Sequence, residues 1–147
     1  LRLAGLLLLI VAPIDALDGA VARASGKKSR FGAFLDSTLD RVSDSAIIAG
    51  LAAHYIGEGT HLLVALLLVS LVASFLVSYV RARAEAEGFE CKVGLLTRVE
   101  RMALIGVMSA LGLHVTMVWA LTILSVFTVL QRIAYVYRVS RQERHPN

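Results

Sequence analysis

Long apolar stretches separated by short polar breaks make up most of the sequence. No Asp, Glu, Lys or Arg occurs in 3–14, in Leu62 to Val80 or in Met102 to Leu130. A helix needs ~20 apolar residues to cross the ~30 Å hydrocarbon core of a bilayer. The run from Leu62 to Val80 alone approaches that length, and the run from Met102 to Leu130 exceeds it. The breaks between them contain glycines and charged residues, which commonly end helices. The pattern therefore predicts a helical protein that lies in a membrane.

Five helical segments follow from this pattern. They are expected at Leu3 to Ala24, Phe31 to Tyr55, His61 to Glu85, Thr97 to Leu111 and Val115 to Arg138. The last two share one uncharged run of 29 residues. As a single helix this run would be ~43 Å long, too long to cross without strong tilt, so we place a turn near Gly112. The plan is one all-α transmembrane domain over 1–147, with an exposed tail at 139–147.

Basic residues are distributed so that one topology satisfies every loop. They concentrate in the first break, 27–30, in the break 81–101 and after Gln131. Loops on the cytoplasmic side carry an excess of Lys and Arg. These three regions are therefore expected inside, and the charge-poor turn Gly57 to His61 outside.

Composition supports a membrane protein and removes several alternatives. Hydrophobic residues make up 57% of the chain and the mean hydropathy is +0.72, above the roughly 45–50% apolar content of soluble domains. The single Cys91 can form neither an intramolecular disulfide nor a thiolate metal cluster. The chain opens at Leu1 inside an apolar run, which we interpret as loss of an N-terminal segment. A secretory signal peptide is disfavoured, because no small-residue cleavage site precedes a soluble region.

Acidic residues lie inside two of the predicted helices. Asp15 and Asp18 are three residues apart, and Asp36, Asp40 and Asp44 are four apart, so each set lies along one helical face. Carboxylates within a membrane are costly and mark functional sites. Clustered negative charges need cations between them, and all-oxygen ligands suit Mg²⁺, Mn²⁺ or Ca²⁺. The two helices therefore predict a metal site suited to phosphoryl chemistry.

The spacing of these acids and their small neighbours resembles a family signature. All eight fixed positions match that of the CDP-alcohol phosphotransferases: Asp15-x-x-Asp18-Gly19-x-x-Ala22-Arg23, eight residues, Gly32-x-x-x-Asp36-x-x-x-Asp40. Members of that family typically have six transmembrane helices, with the signature on the second and third. Since this sequence shows five helices and the first already carries the signature, the family's first helix is expected to be missing.

The resemblance implies a role for each signature residue. Two divalent cations, Mg²⁺ or Mn²⁺, would be bound by Asp15, Asp18, Asp36 and Asp40. The CDP group would bridge the cations and contact Asp18, Gly19, Ala22, Arg23 and Gly32. Asp40 would also be the general base that takes the proton of the acceptor hydroxyl while CMP leaves.

The acceptor is indicated by a second stretch of sequence. Residues 78–85 look most like the phosphatidylinositol-phosphate synthase branch, including its archaeal ether-lipid relatives. There, basic residues similar to Arg81 and to Arg98 or Arg101 hold inositol phosphate. The basic cluster could instead set topology or touch lipid phosphates. Asp44 has two open interpretations, support of the metal ligands or lining of the pocket.

The implied reaction moves a phosphatidyl group, or its ether-lipid equivalent, from CDP-diacylglycerol or a CDP-linked ether lipid to an alcohol. Rival acceptors are glycerol phosphate, free inositol and serine, and a CDP-aminoalcohol transferase is a further alternative. An ion or proton transporter would explain intramembrane acids but not the spacing of the glycines and Arg23. The resemblance implies a homodimer. The basic loops indicate that the active site faces the cytoplasm, and no nucleic-acid partner is expected.

Overall fold

The computed structural model describes residues 1–10 and 29–144. Within these ranges the chain forms helices, turns and loops, and no strand is present. The helices are α1, described over 2–10, α2 (Arg30–Gly57), α3 (His61–Ala86), α4 (Arg98–Ala110) and α5 (His114–Arg144). The predicted all-α fold is confirmed.

Local sequence signals explain where the helices begin and end. α2 begins after Ser29, whose Oγ accepts a hydrogen bond from the backbone N–H of Gly32 at 2.9 Å, the usual contact of an N-cap hydroxyl. The turn between α4 and α5 contains Gly112 with a φ of 78°, a conformation that glycine adopts at little steric cost. The turn expected near Gly112 is therefore present.

The last helix extends further than the sequence pattern indicated. α5 continues to Arg144, so residues 139–144, assigned above to an exposed tail, are helical. Side chains one turn apart interact there, because the Arg141 guanidinium lies 5.4 Å from the centre of the Tyr137 ring. Such cation–π pairs favour continuation of the helix past the apolar region.

Two of the described helices are long and apolar enough to cross a bilayer. They cover His61–Ala86, with a mean hydropathy of 2.6, and His114–Gln142, with 1.7. α4 has 13 residues and is only ~20 Å long. α2 is long enough to cross a bilayer, but charged residues in its first half make it less apolar than these two helices.

Helix α3 packs between α2 and α5, and α4 packs on α5. The core between them includes Ile48 of α2, Leu67 of α3 and Leu121 of α5. A polar contact crosses the α3–α5 interface, where Ser70 Oγ and Thr122 Oγ1 are 2.8 Å apart. Small hydroxyl residues let membrane helices approach closely and satisfy each other's hydrogen bonds.

Helices α1 and α4 are in close contact through glycines. A Cβ atom at Gly5 would lie 2.6 Å from Cβ of Ser109 and 2.8 Å from the carbonyl oxygen of Gly106. At Gly106 it would lie 2.8 Å from the Leu9 side chain. The two helices therefore approach closely because Gly5 and Gly106 have no side chains of their own.

Candidate active site

Helix α2 carries an acidic face that becomes more buried along the chain. Asp36, Asp40 and Asp44 follow at four-residue intervals and so lie on successive turns. Asp36 is exposed, the Asp40 side chain is 25% exposed and that of Asp44 is 2% exposed. The face runs from an accessible carboxylate into the packed interior.

Two arginines at the start of α4 meet this face. Arg98 Nη1 lies 2.7 Å from Asp40 Oδ1, and Arg98 Nε lies 3.4 Å from Asp44 Oδ1. One turn further, Arg101 Nη1 donates to Asp44 Oδ2 at 2.8 Å. It also contacts Ser74 Oγ of α3. The four charged side chains form an alternating acid–base quartet that joins α2, α3 and α4.

Burial makes the inner pair of this quartet important for the fold. The Asp44 and Arg101 side chains are each 2% exposed, so each ion depends on the other for compensation. Removing one partner of a buried pair typically costs about 3–5 kcal/mol, because the remaining charge is left without a counter-ion. Arg98, with 31% exposure, can still contact solvent or a ligand.

A cavity of about 750 Å³ opens beside the quartet. Helices α2 to α5 all contribute to its walls, and its charged lining residues are Asp40, Arg41, Arg81, Glu85, Arg98, Arg101 and Arg132. Five of these seven are arginines, so the cavity is suited to an anionic ligand. On its α3 wall, Arg81 is half-exposed and its Nε lies 2.8 Å from Glu85 Oε1.

Arg132 of α5 was not assigned to the site from sequence. It is 3% exposed, its Nε donates to the carbonyl of Val93 at 2.8 Å, and its Nη1 donates to the carbonyl of Val77. It thereby joins the loop before α4 to the C-terminal half of α3. A charged residue that follows a long apolar run is the signal that could have identified it.

The three proposed acceptor-binding arginines all border the cavity but differ in accessibility. Arg81 and Arg98 have accessible guanidinium groups, whereas Arg101 is buried between Asp44 and Ser74. Burial of Arg101 depends on tertiary packing, which its position in the sequence does not reveal. Arg101 therefore has a structural contact that the sequence did not indicate.

The signature residues fall on both sides of a boundary in the described chain. Asp15, Asp18, Gly19, Ala22 and Arg23 lie outside the described residues. Of the others, Gly32 lies in the first turn of α2, and Asp36 and Asp40 share one face of that helix.

The described part of the proposed metal site fits hard divalent cations in its donor chemistry. Asp36 and Asp40 provide carboxylate oxygens one helical turn apart, the ligand type that Mg²⁺ and Mn²⁺ prefer. Within the described ranges no group of three metal-binding side chains occurs. A complete site would therefore also require ligands from the rest of the chain.

A helical bundle with membrane-span helices and a charged internal cavity defines the class, a helical membrane protein. The chain belongs to the CDP-alcohol phosphatidyltransferase family, whose model matches residues 1–131. The resemblance drawn from the signature spacing is confirmed.

Two named relatives share more than two fifths of their aligned residues with this chain. Identity is 46% over 131 residues to an archaetidylinositol phosphate synthase of Methanothermobacter thermautotrophicus, covering 85% of this chain and 65% of that relative. It is 42% over 137 residues to a phosphatidylinositol phosphate synthase of Mycobacteroides abscessus, covering 87% and 62%. The chain spans less than two thirds of the length of both relatives.

Solved structures of one further relative have the same fold. A Mycobacterium tuberculosis phosphatidylinositol phosphate synthase with CDP-DAG bound matches with a TM-score of 0.78 and 36% identity, over 88% of this chain and 70% of that chain. The same enzyme in complex with manganese and citrate matches with a TM-score of 0.74 and 38% identity, over 88% and 66%.

Proposed function

We propose that the protein is a multi-pass membrane transferase of phospholipid biosynthesis. It transfers a phosphatidyl group, or its ether-lipid equivalent, from a CDP-linked lipid to the hydroxyl of inositol phosphate and releases CMP. The observation that carries this proposal is the arginine-rich cavity with Asp40 in its wall. The named relatives, which are inositol phosphate lipid synthases, support the choice of acceptor.

The chemical step needs a proton acceptor beside an anionic binding site. The acceptor hydroxyl oxygen bonds to the phosphorus of the donor, its proton passes to the Asp40 carboxylate, and the bond to CMP breaks. General-base catalysis requires the carboxylate within hydrogen-bond reach of that hydroxyl. Asp40 lines the cavity with 25% of its side chain exposed, which supports this role.

Two divalent cations, Mg²⁺ or Mn²⁺, are part of the proposal. Asp15, Asp18, Asp36 and Asp40 would hold them, and they would supply charge neutralisation for the diphosphate when bound. The carboxylates of Asp36 and Asp40 support this, and the manganese in a related structure favours such a metal. The CDP group would contact Asp18, Gly19, Ala22, Arg23 and Gly32.

Arg81 and Arg98 are the proposed ligands of the acceptor phosphate. Both line the cavity and both are accessible. A planar guanidinium can bind two phosphate oxygens at once. Arg101, although it also borders the cavity, is engaged by Asp44, so we assign it to support of the site rather than to direct binding.

An acceptor survey with the full-length protein tests the proposed function. Purified protein in lipid would receive CDP-diacylglycerol or a CDP-linked ether lipid, a divalent cation and one alcohol at a time, with CMP as the readout. Inositol phosphate is expected to give a higher kcat/KM than glycerol phosphate, free inositol or serine. A preference for an uncharged alcohol would contradict the acceptor assignment, and absence of CMP with every alcohol would contradict the transferase activity.

We also propose that the protein lies in the membrane with the topology predicted from its basic loops. The active site faces the cytoplasm, where the basic loops lie, and the protein forms a homodimer. The cytoplasmic location of the active site is supported by the clustering of Arg81, Arg98 and Arg132 around the cavity.

A further inference from the structure

We propose that Asp44 is a positioning residue of the acceptor pocket and that it acts through Arg98. This inference rests on the proposed function, because it concerns the phosphate-bearing acceptor of that same site. Asp44 itself, with 2% of its side chain exposed, cannot reach a ligand in the cavity. Its effect must therefore pass through the side chains that it contacts.

The two oxygens of Asp44 have different partners. Oδ2 accepts from Arg101 Nη1 at 2.8 Å, and Oδ1 lies 3.4 Å from Arg98 Nε. Arg101 also contacts Ser74 of α3, so the Asp44 carboxylate is fixed by two neighbouring helices. A carboxylate held in this way offers Arg98 a stationary anchor.

Arg98 lies between two carboxylates at different depths. Its Nε faces the buried Asp44, and its Nη1 lies 2.7 Å from Asp40, which lines the cavity. A guanidinium is planar, so two contacts on different nitrogens largely fix its orientation. The contact of Nε with the buried Asp44 sets the position of Arg98. The contact of Nη1 with the more exposed Asp40 keeps the outer part of the guanidinium at the cavity.

This arrangement suits an exchange of partners when an acceptor binds. A phosphate that enters the cavity can replace Asp40 as the partner of Arg98 Nη1, while Nε stays on Asp44. Arg98 then keeps its place, and the Asp40 carboxylate becomes available to the acceptor hydroxyl. Without Asp44, the flexible Arg98 side chain would lose its inner anchor and bind phosphate at a larger entropic cost.

A double-mutant cycle on the full-length protein tests the inference. Asp44→Asn and Arg98→Gln are each expected to raise the KM for inositol phosphate by roughly tenfold to hundredfold, as for loss of a charge-assisted contact. The KM for the CDP-lipid should stay within about twofold, and the double variant should be no worse than Arg98→Gln alone. Independent, multiplying effects of the two substitutions would overturn the proposal, as would a normal acceptor KM in folded Asp44→Asn.

Ser70→Ala is the matched structural control. Ser70 is a fully buried polar residue bonded to Thr122, and the substitution removes this one buried hydrogen bond away from the cavity, while Thr122 keeps its bonds to the carbonyls of Leu66 and Val118. It is expected to lower Tm without changing either KM. If Ser70→Ala raised the acceptor KM as Asp44→Asn does, loss of stability alone would explain both results and the inference would be wrong.

A second background covers the case in which Asp44→Asn does not fold. In Asp44→Leu/Arg101→Met the buried ion pair is replaced by apolar side chains of similar size, a change that proteins often tolerate. There, Arg98→Gln should change the acceptor KM by less than about threefold, because Arg98 has already lost its anchor. A full Arg98→Gln effect in this background would overturn the proposal. If the wild-type protein releases no CMP with any alcohol, both the proposed function and the role of Asp44 fail. If the wild-type protein is active but the effects of the Asp44 and Arg98 substitutions multiply, only the role of Asp44 is removed.

Discussion

At the residue scale, Arg132 shows how a single buried guanidinium fixes a loop next to the cavity. Its hydrogen-bond acceptors are the carbonyl oxygens of Val77 and Val93, so α5 holds the C-terminal half of α3 and the loop before α4 together. Gly94, beside it, has a φ of 150°, a conformation that L-residues rarely adopt.

Gly94→Ala is therefore expected to destabilise the protein. A Cβ atom at this position would lie 2.9 Å from Nη2 of Arg132, and the guanidinium is held by two carbonyls and cannot easily move. We expect a loss of about 1–3 kcal/mol, measured by thermal unfolding in lipid. Gly50→Ala is the control, because nothing lies within 4 Å of a Cβ there and alanine favours the helix. Equal Tm values for both variants would contradict the close contact.

The acidic face of α2 predicts that activity depends on a divalent metal and on Asp40 as the general base. Asp36→Asn and Asp40→Asn are each expected to lower CMP formation at least about a hundredfold, and a chelator should stop the wild-type protein, because the proposed cation site would lose a ligand or its cations. Asp40→Asn should retain part of its donor binding, since a base acts mainly in the transition state. Ser43→Ala, an exposed position on the same helix, is the control. Full turnover in chelator would contradict the metal mechanism.

The arginines of α3 offer a matched pair for the acceptor assignment. Arg81 and Arg83 are both exposed, and each pairs with a glutamate one turn later, Glu85 or Glu87. Of the two, Arg81 lines the cavity. Arg81→Ala should raise the KM for inositol phosphate roughly tenfold to hundredfold, and Arg83→Ala should leave it within about twofold. A similar effect in both variants would indicate a general charge effect instead of a binding contact.

Residue type alone could not separate the proposed acceptor-binding arginines from the structural ones. Arg98 and Arg101 lie three residues apart at the start of one helix, and both look like basic anchors at a membrane surface. Their difference arises from depth, because Arg101 is 2% exposed and reaches Ser74 of α3, whereas 31% of the Arg98 side chain is exposed. That depth depends on how α3 and α4 approach each other, which no local pattern encodes.

At the element scale, the glycine contact between α1 and α4 determines how closely the first helix packs. Gly5→Leu is expected to separate the two helices, because its Cβ would lie 2.8 Å from the backbone oxygen of Gly106 and backbone cannot be displaced cheaply. A loss of about 1–3 kcal/mol is expected from overpacking. The exposed neighbour Ala4 provides the control Ala4→Leu, and equal thermal stability of the two variants would contradict the contact.

Helix positions were largely predictable because apolar runs and glycine breaks are local signals. The division of the run from Met102 to Leu130 into two helices at Gly112 rested on length and charge, and α4 and α5 bear it out. The extension of α5 to Arg144 was not predicted, because Tyr137 and Arg141 interact only once the chain is helical. The acid–base quartet required tertiary contacts between α2 and α4 and was also not predicted.

At the scale of the whole molecule, the proposed topology can be tested at two equivalent positions. Glu58 and Glu87 follow α2 and α3 as their C-cap residues, and both side chains are 53% exposed. Glu58→Cys should react with an impermeant thiol reagent in intact cells, and Glu87→Cys only after the membrane is opened. The native Cys91 is buried and should contribute little background. Labelling of Glu87→Cys in intact cells would contradict the proposed topology and indicate the opposite orientation in the membrane.

The ion pair between Asp44 and Arg101 also has a consequence for how the protein is made. The two residues are 57 positions apart, and a ribosome adds roughly 5–20 residues per second. Several seconds therefore pass in which α2 has left the ribosome without its counter-ion. In the proposed multi-pass arrangement an uncompensated carboxylate of α2 is unfavourable in lipid, so α2 should remain at the insertion machinery until α4 emerges. A nascent chain stopped before Arg98 would then be a substrate for membrane quality control, whereas one extended past α5 would escape it.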